Sequence, residues 1–283
     1  MCDCRAYWFP DDCWAKRRAE CYYSHIKPTR RYGGAVQRFD GRVALITGAS
    51  RGIGLATAHR LVAEGASVVL TGRGQAALDE AVADLGAERA SAVAGKADDP
   101  DHRAHAIAHT LDRFGRLDHL VNNAGINPAY GPVLETDPDV VRKIFEVNLL
   151  SAFEWTRDTV AAGLQRSVVN IASFAGTTAS PNIAFYGVSK AALINLTQQL
   201  SYELAPSVRV NAVAPAVVKT QLARALYEGR EDQAGEAYPL RRLGEPEDVA
   251  GPVAFLLSED ASWITGQTVK IDGGASIDPG GSD

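Results

Sequence analysis

Short apolar runs alternate with helix-like stretches from Arg42 to the end of the chain. Continuous apolar strands that are separated by helices indicate a parallel sheet buried on both faces. The predicted strands are 43–46, 67–70, 90–94, 117–121, 167–171, 209–213 and 267–271, and the clearest helices are 53–64, 75–85 and 183–204. The pattern therefore predicts one α/β domain, a doubly wound seven-stranded parallel sheet with helices on both faces.

The first forty residues differ in composition from the rest of the 283-residue chain. They hold all four cysteines and eight of the 21 aromatic residues. We therefore predict a poorly ordered arm over 1–39, a domain over 40–274 and a tail over 275–283. The cysteine spacing matches no common zinc template, so no metal site is expected. A partner-binding segment and a metal site remain the alternatives for the arm.

The charge distribution narrows the choice of partner and compartment. The net charge is −5, made up of +3 over residues 1–40 and −8 over the remainder. An acidic main domain argues against nucleic acid as the partner. No apolar run approaches the roughly 18 to 20 residues of a membrane span, and the N-terminus lacks the apolar stretch of a secretory signal. A cytoplasmic location without membrane attachment is expected.

A glycine-rich turn follows the first predicted strand and opens the first helix. Residues 47–54 read TGASRGIG, with a spacing that differs from the common dinucleotide fingerprint. Glycines allow a tight turn and a close approach to a pyrophosphate, whose charge is favoured at a helix N-terminus. The candidate cofactor-binding residues of the turn are Gly48, Ser50, Arg51, Gly52, Ile53 and Gly54.

A second polar segment, Asn122 to Gly125, follows the fourth predicted strand. Strands one and four flank the switch point of a doubly wound sheet, where ligands bind. We therefore expect this segment to face the glycine turn across the ligand crevice.

A third group combines Ser173, after the fifth strand, with Tyr186 and Lys190 on the long helix that follows. Tyr186 and Lys190 are four residues apart and so lie on one helix face. A phenol with a pKa near 10 is a poor acid or base at neutral pH, and a neighbouring ammonium lowers that pKa. The three side chains are candidates for proton transfer.

Together these motifs resemble the short-chain dehydrogenase/reductases, whose domains have the Rossmann fold, over 40–274. The segments LRRLGEPED at 240–248, WITGQ at 263–267 and DGG at 272–274 are most similar to bacterial 3-oxoacyl-(acyl carrier protein) reductase-like enzymes. The resemblance implies an NADP(H)-dependent oxidoreductase that reduces a ketone to a secondary alcohol, or catalyses the reverse reaction.

The resemblance also assigns roles to individual positions. Ser173 would hydrogen-bond the substrate carbonyl and Tyr186 would protonate its oxygen, while Lys190 would lower the tyrosine pKa and hold the nicotinamide ribose. Asn148 matches the asparagine that keeps a proton-relay water in place. The remaining expected cofactor contacts are Asn123, Ala124 and Gly125 on the adenosine side, and Val218, Thr220, Tyr186 and Lys190 on the nicotinamide side.

Two positions depart from the family pattern. Ala216 replaces the glycine of the usual Pro-Gly pair, which would cost about 1 kcal/mol if the backbone there needs a positive φ. Lys96 occupies the position expected to accept from the adenine amine, so only the backbone of Ala97 is left to contribute there.

The end of the second strand predicts the cofactor. NAD-preferring relatives carry a carboxylate there for the ribose hydroxyls. This chain has Gly72 followed by Arg73, and Arg51 lies in the glycine turn. A guanidinium pairs with a 2′-phosphate, so NADP(H) is expected to be preferred, with NAD(H) possible.

Several points stay open at this stage. The resemblance makes 217–238 a lid over the substrate, but a 3-oxoacyl thioester, a sterol ketone, a small diketone and a sugar-derived ketone all remain candidate substrates. Helix 183–204 should face the sheet with Leu193, Leu196, Leu200 and Leu204, and its opposite side is uncharged, which predicts a homo-oligomer, a tetramer as in similar proteins. The alternative function is a catalytically silent nucleotide-binding protein that acts as a sensor or scaffold.

Overall fold

The computed structural model describes residues 37–277, which contain one seven-stranded parallel sheet in the order β3-β2-β1-β4-β5-β6-β7. The strands are β1 (Val43–Ile46), β2 (Ser67–Gly72), β3 (Ala90–Ala94), β4 (His119–Asn122), β5 (Ser167–Ile171), β6 (Arg209–Pro215) and β7 (Thr268–Ile271). The predicted doubly wound sheet is confirmed. Most of the predicted arm lies outside the described residues, but Phe39 is buried and Arg38 pairs with Glu64 at 2.6 Å, so the domain includes these two residues.

Helices connect successive strands and cover the sheet. They are α1 (Gly52–Ala63), α2 (Gln75–Leu85), α3 (Pro100–Phe114), α4 (Pro138–Phe145), α5 (Ser151–Ala161), α6 (Ala184–Leu204), α7 (Glu231–Glu236) and α8 (Pro246–Leu257). A π-helical segment, Glu146–Leu150, joins α4 to α5, and short 3₁₀ turns lie at Val133–Glu135, Phe174–Gly176, Arg224–Leu226 and Glu259–Ala261. Pro138 and Pro246 each stand in the first turn of a helix, where the missing N–H is no loss.

Successive residues of each strand point to opposite faces of the sheet and pack into two separate hydrophobic cores. Ile46 and Leu70 pack with Leu61 of α1 on one face. Their neighbours Leu45 and Val69 pack on the other face, with the fully buried Trp155 of α5. Because both faces are covered, the strands are apolar throughout, which is why the sequence shows continuous runs.

The order of the strands reverses at β1, because β1 pairs with both β2 and β4. The carboxyl ends of β1 and β4 therefore diverge into loops on opposite sides, which opens a crevice. The glycine turn follows β1, and residues 123–125 follow β4, whose last residue is Asn122. Both segments flank that crevice, as the sequence predicts.

Helix α6 packs three of the four predicted leucines against the core, and it also buries Thr197. Leu193 is fully buried, but Leu196 is partly exposed, and Thr197 is buried. Thr197 can be buried because its hydroxyl donates to Leu193 O at 2.8 Å and accepts from Asn170 Nδ2 at 2.9 Å. Leu200 and Leu204 do pack against the core.

Candidate active site

The glycine turn takes a conformation that needs glycine at two of its positions. Gly48 and Gly52 have φ values of +63° and +57°, which side chains rarely adopt. Gly54 is required for space, because a Cβ there would lie 2.8 Å from Ala49 Cα. The turn can thus approach a ligand with its backbone N–H groups at the start of α1.

Asn123 fixes the turn to the end of β4. Its Nδ2 donates to Thr47 O at 2.8 Å and to Gly48 O at 2.9 Å. In return, Thr47 Oγ1 accepts from the backbone N–H groups of Asn123 and Ala124, both at 3.0 Å. Sequence reasoning does not single out Thr47, although its place beside the first glycine is a signal that could have found it. These four bonds hold the two sides of the crevice in register.

Ser173, Tyr186 and Lys190 lie together on the wall of one cleft of about 200 Å³. Ser173 Oγ accepts from Ala175 N at 3.2 Å, which caps the 3₁₀ turn that follows β5. Lys190 Nζ donates to Ile171 O at 2.8 Å and lies 5.8 Å from the centre of the Tyr186 ring. The spacing of four on α6 and the end of β5 thus bring the predicted group together.

Burial moves the pKa values of two of these side chains in opposite directions. It lowers the pKa of Lys190 to about 8, because the ammonium is taken out of water. It raises the pKa of Tyr186, an effect that a hydrogen bond with Ser173 opposes. The phenol is therefore protonated at neutral pH and available as an acid.

Asn148 lies in the π-helical segment, and its amide is held on both sides. Its Oδ1 accepts from Ile126 N at 2.8 Å, and its Nδ2 donates to Ile126 O at 2.9 Å and to Ser189 Oγ at 3.1 Å. Ser189 Oγ donates in turn to Tyr186 O at 2.7 Å. Asn148 is thereby tied to the backbone of the tyrosine helix. The sequence analysis misses Ser189, which stands inside the Tyr-Gly-Val-Ser-Lys motif.

Most of the predicted cofactor-binding residues border the same cleft. They are Gly48, Arg51, Gly52, Ile53, Asn123, Gly125, Tyr186, Lys190, Val218 and Thr220. A Cβ at Gly125 would lie 3.4 Å from Lys190 Nζ, and one at Gly52 would lie 3.3 Å from Thr220 Cγ2. The absence of side chains there leaves a cradle for an extended ligand, so the residues present fit a dinucleotide.

Other predicted positions lie beside the cleft rather than on its wall. Ser50 packs against Gly72, since a Cβ at Gly72 would lie 3.3 Å from Ser50 Oγ. Gly54 and Ala124 back the glycine turn, and Arg73 is exposed just beyond β2.

Two further positions bear on the departures from the family pattern. Ala97 is not among the residues that line this cleft, and its carbonyl oxygen accepts from Ser151 Oγ at 3.0 Å and from Trp155 Nε1 at 2.8 Å, while Lys96 is exposed. The backbone N–H of Ala97 stays a predicted contact near the adenine. Ala216 has no positive φ, so alanine carries no backbone strain there.

Comparisons of the sequence and the structure with known proteins agree with the geometry of this site. A family sequence model described as enoyl-(acyl carrier protein) reductase matches residues 48–276. Dehydrogenase/reductase SDR family member 4 of Caenorhabditis elegans is 41% identical over 250 residues, which cover 84% of this chain and 96% of that protein. The chain belongs to the short-chain dehydrogenase/reductase family.

Further relatives support the same assignment for this short-chain dehydrogenase/reductase. Tropinone reductase-like 3 of Erythroxylum coca is 41% identical and covers 84% of this chain and 94% of that protein. A short-chain dehydrogenase/reductase of Brucella melitensis, whose crystal structure is titled glucose/ribitol dehydrogenase, superposes with a TM-score of 0.80 at 35% identity, over 84% of this chain and 97% of that one.

The enzyme is therefore an NAD(P)-dependent oxidoreductase, as the sequence predicts. The predicted similarity to 3-oxoacyl-(acyl carrier protein) reductases is not confirmed, because these relatives carry the names of other subgroups. Within residues 37–277, no helix has the length and apolar character needed to cross a membrane.

Proposed function

We propose that this enzyme reduces a ketone to a secondary alcohol, or catalyses the reverse reaction, with NADP(H) as its preferred cofactor. The observation that carries the proposal is the convergence of Ser173, Tyr186 and Lys190 on one wall of the cleft whose other wall is the glycine turn. A substrate carbonyl in that cleft reaches a hydroxyl donor and a phenol at once.

Each side chain has a distinct part in the proposed reaction. The nicotinamide cofactor, when bound, supplies the hydride for the carbonyl carbon. Tyr186 donates its phenolic proton to the carbonyl oxygen, which receives the electron pair of the C=O bond, and Ser173 donates a hydrogen bond to the same oxygen. The Lys190 ammonium stabilises the phenolate that remains. Oxidation of the alcohol uses the same groups in reverse.

Asn148 acts in this proposal through its neighbours. Its two hydrogen bonds to Ile126 and its bond to Ser189 hold the loop after β4 against helix α6. The arrangement keeps Gly125 beside Lys190, which leaves the floor of the cleft open next to the ammonium. A relay water at this position would be held in a fixed frame.

The preference for NADP(H) rests on the charges at the end of β2 and in the glycine turn. Arg51 and Arg73 are both exposed, and neither forms an ion pair with a carboxylate of residues 37–277. Gly72 offers no carboxylate to the ribose hydroxyls and no negative charge to repel a 2′-phosphate. Two free guanidinium groups favour that phosphate. NAD(H) is the alternative cofactor.

The proposal also includes the setting in which the enzyme works. Its substrate is a small carbonyl compound, with the 3-oxoacyl thioester as one candidate. A homotetramer and a cytoplasmic location complete the proposal. The exposed, uncharged residues on the outer side of α6 between Val188 and Gln199 support the assembly.

The test is a panel of ketones and alcohols, assayed with the full chain and with each cofactor by nicotinamide absorbance. Turnover of at least one ketone, faster with NADPH than with NADH, is expected. Tight cofactor binding without turnover of any compound on the panel would instead favour the silent sensor or scaffold.

A further inference from the structure

A small apolar pocket adjoins Ser173 and Tyr186 on the side away from the glycine turn. Its volume is about 150 Å³. The side chains that give it its apolar character are Phe174, Ile183, Leu222, Leu226 and Tyr238. Among the described residues that line it, none is charged. A substrate carbonyl held by Ser173 and Tyr186 would direct one substituent into this pocket.

A second cavity, of about 180 Å³, lies behind the first. Ala216, Val217 and Tyr238 line both cavities, so these three residues form the partition between them. The far cavity differs in chemistry, because Arg242 and Asp248 form an ion pair on its wall. The large side chain in the partition is that of Tyr238.

Two contacts hold Tyr238 in the partition. Its hydroxyl oxygen accepts from Val217 N at 3.4 Å. Its ring packs on Gly273, where a Cβ would lie 3.4 Å from Tyr238 Cδ1. Gly273 has a φ of +58°, a conformation that favours glycine. The backbone conformation at this position therefore also keeps the surface under the ring free of a side chain. The ring is therefore a fixed wall rather than a freely rotating side chain.

We propose that Tyr238 sets the depth of the carbonyl pocket and limits the substituent that enters it to an uncharged, apolar group about as large as a benzene ring. The inference rests on the proposed function. An apolar cavity of about 150 Å³ lined by Leu, Ile and Phe side chains admits benzene. A longer substituent meets the Tyr238 ring, and beyond that ring it would have to lie against the Arg242–Asp248 ion pair.

The experiment compares two ketones on three forms of the full chain. The ketones are methyl phenyl ketone and methyl 4-butylphenyl ketone, and the forms are the wild type, Tyr238→Ala and Tyr238→Phe. The wild type is expected to prefer the shorter ketone in kcat/KM. Tyr238→Ala joins the two cavities, so the ratio of kcat/KM for the longer to the shorter ketone should rise at least about tenfold, the scale set by methylene groups in apolar pockets. Tyr238→Phe keeps the ring and should keep the wild-type ratio.

Binding gives a readout that does not need turnover. Calorimetric titration of the butyl ketone should show tighter binding to Tyr238→Ala than to the wild type, with an unchanged Kd for the cofactor. Tyr238→Leu serves in place of the alanine variant if that variant does not fold.

The outcomes separate the two proposals. An unchanged ratio in a folded, active Tyr238→Ala or Tyr238→Leu enzyme overturns the role of Tyr238 and leaves the ketone reductase in place. A wild type that turns over no ketone but binds the butyl ketone more tightly after Tyr238→Ala supports the depth of the pocket and overturns the proposed function.

Discussion

Tyr186 is a neutral phenol, and the Lys190 beside it is an ammonium group with a lowered pKa. Burial raises the pKa of Tyr186 and lowers that of Lys190 to about 8. At neutral pH most of the lysine is still charged, so the phenolate formed by proton donation has a stabilising neighbour. A reduction therefore begins with the proton already on the donor.

Substitution of Tyr186 tests the proton donor directly. Tyr186→Phe removes one hydroxyl and keeps the ring, so the rate of ketone reduction should fall by about 10² to 10⁴. The Kd for NADPH should change little, because the glycine turn is untouched. Steady-state rates and cofactor fluorescence titration measure the two effects. A variant with a tenth of the wild-type rate would exclude Tyr186 as the donor.

The cofactor preference can be reversed at the end of β2. Gly72→Asp combined with Arg73→Ala introduces a carboxylate beside Ser50 and removes one guanidinium. A charge-assisted hydrogen bond contributes about 1.5–3 kcal/mol, so the wild type should favour NADPH over NADH by about tenfold or more in kcat/KM. The double variant should shift toward NADH.

Arg113→Ala is the matched control for that exchange, because it removes an arginine that does not line the cleft. Arg113 lies in the last turn of α3, where it donates to Ala87 O. Its ratio of NADPH to NADH efficiency should equal that of the wild type. Equal use of both cofactors by the wild type would contradict the assignment of Arg51 and Arg73.

At the scale of single elements, the bounds of a strand were predictable where its apolar run coincides with the residues that pair with the neighbouring strands. β3 and β5 have the predicted bounds. β2 continues two residues further than its apolar run, because Thr71 and Gly72 pair with Val93 and Ala94. β4 begins at His119, two residues later than predicted. Where backbone pairing between strands begins and ends is not visible in the hydrophobicity of the sequence.

The site was predictable as a set of side chains and less so as a set of contacts. Asn148, Ser173, Tyr186 and Lys190 stand out in the sequence, and so does the glycine turn. Apart from Ser189 Oγ, the groups that hold Asn148 and Lys190 are backbone atoms of Ile126 and Ile171, and a backbone partner has no residue signature. The carbonyl oxygen of Ala97 is held by the side chains of Ser151 and Trp155, which lie more than fifty residues further along the chain and carry no motif.

Strand β4 carries a histidine whose titration should destabilise the fold. Burial lowers the pKa of His119 to about 3, and Arg166, Arg209 and Arg42 lower it further, while Asp118 opposes them. The unfolded chain has an ordinary histidine pKa of about 6.5, so it binds more protons than the folded chain between about pH 6.5 and 3. The contribution is complete above about pH 6.5 and is lost as the pH falls through that window.

Urea unfolding at pH 7 and pH 5.5 measures the effect. The free energy of unfolding of the wild type should fall with a slope of up to about 1.4 kcal/mol per pH unit from this group. His119→Gln can still hydrogen-bond Ser167, and it should show a shallower slope. His105→Gln, on the exposed side of α3, is the control and should keep the wild-type slope. Equal slopes in all three proteins would contradict the role of His119.

At the scale of the whole molecule, both sheet faces are covered, but α6 is covered on one side only. As far as Gln199 its outer side bears Val188, Ala191, Asn195 and Gln199, all exposed and none charged, and Glu203 in the last turn is an exposed carboxylate. The π-helical segment packs beside α6 and adds Leu150, which is 52% exposed. An exposed stretch of apolar and uncharged polar side chains, such as the one from Val188 to Gln199, is typical of an interface between subunits.

Light scattering therefore tests the assembly predicted through α6. The wild type at micromolar concentration should have a mass near four times the 30.2 kDa of one chain. Ala191→Glu places an uncompensated carboxylate on the outer side of α6, which would be costly to bury between subunits, so the mass should fall toward that of the monomer. Ala108→Glu makes the same exchange at an exposed position of α3, away from α6, and should leave the mass unchanged. A wild-type mass of 30.2 kDa would show that α6 faces solvent, and an unchanged mass for Ala191→Glu would place the interface on another surface.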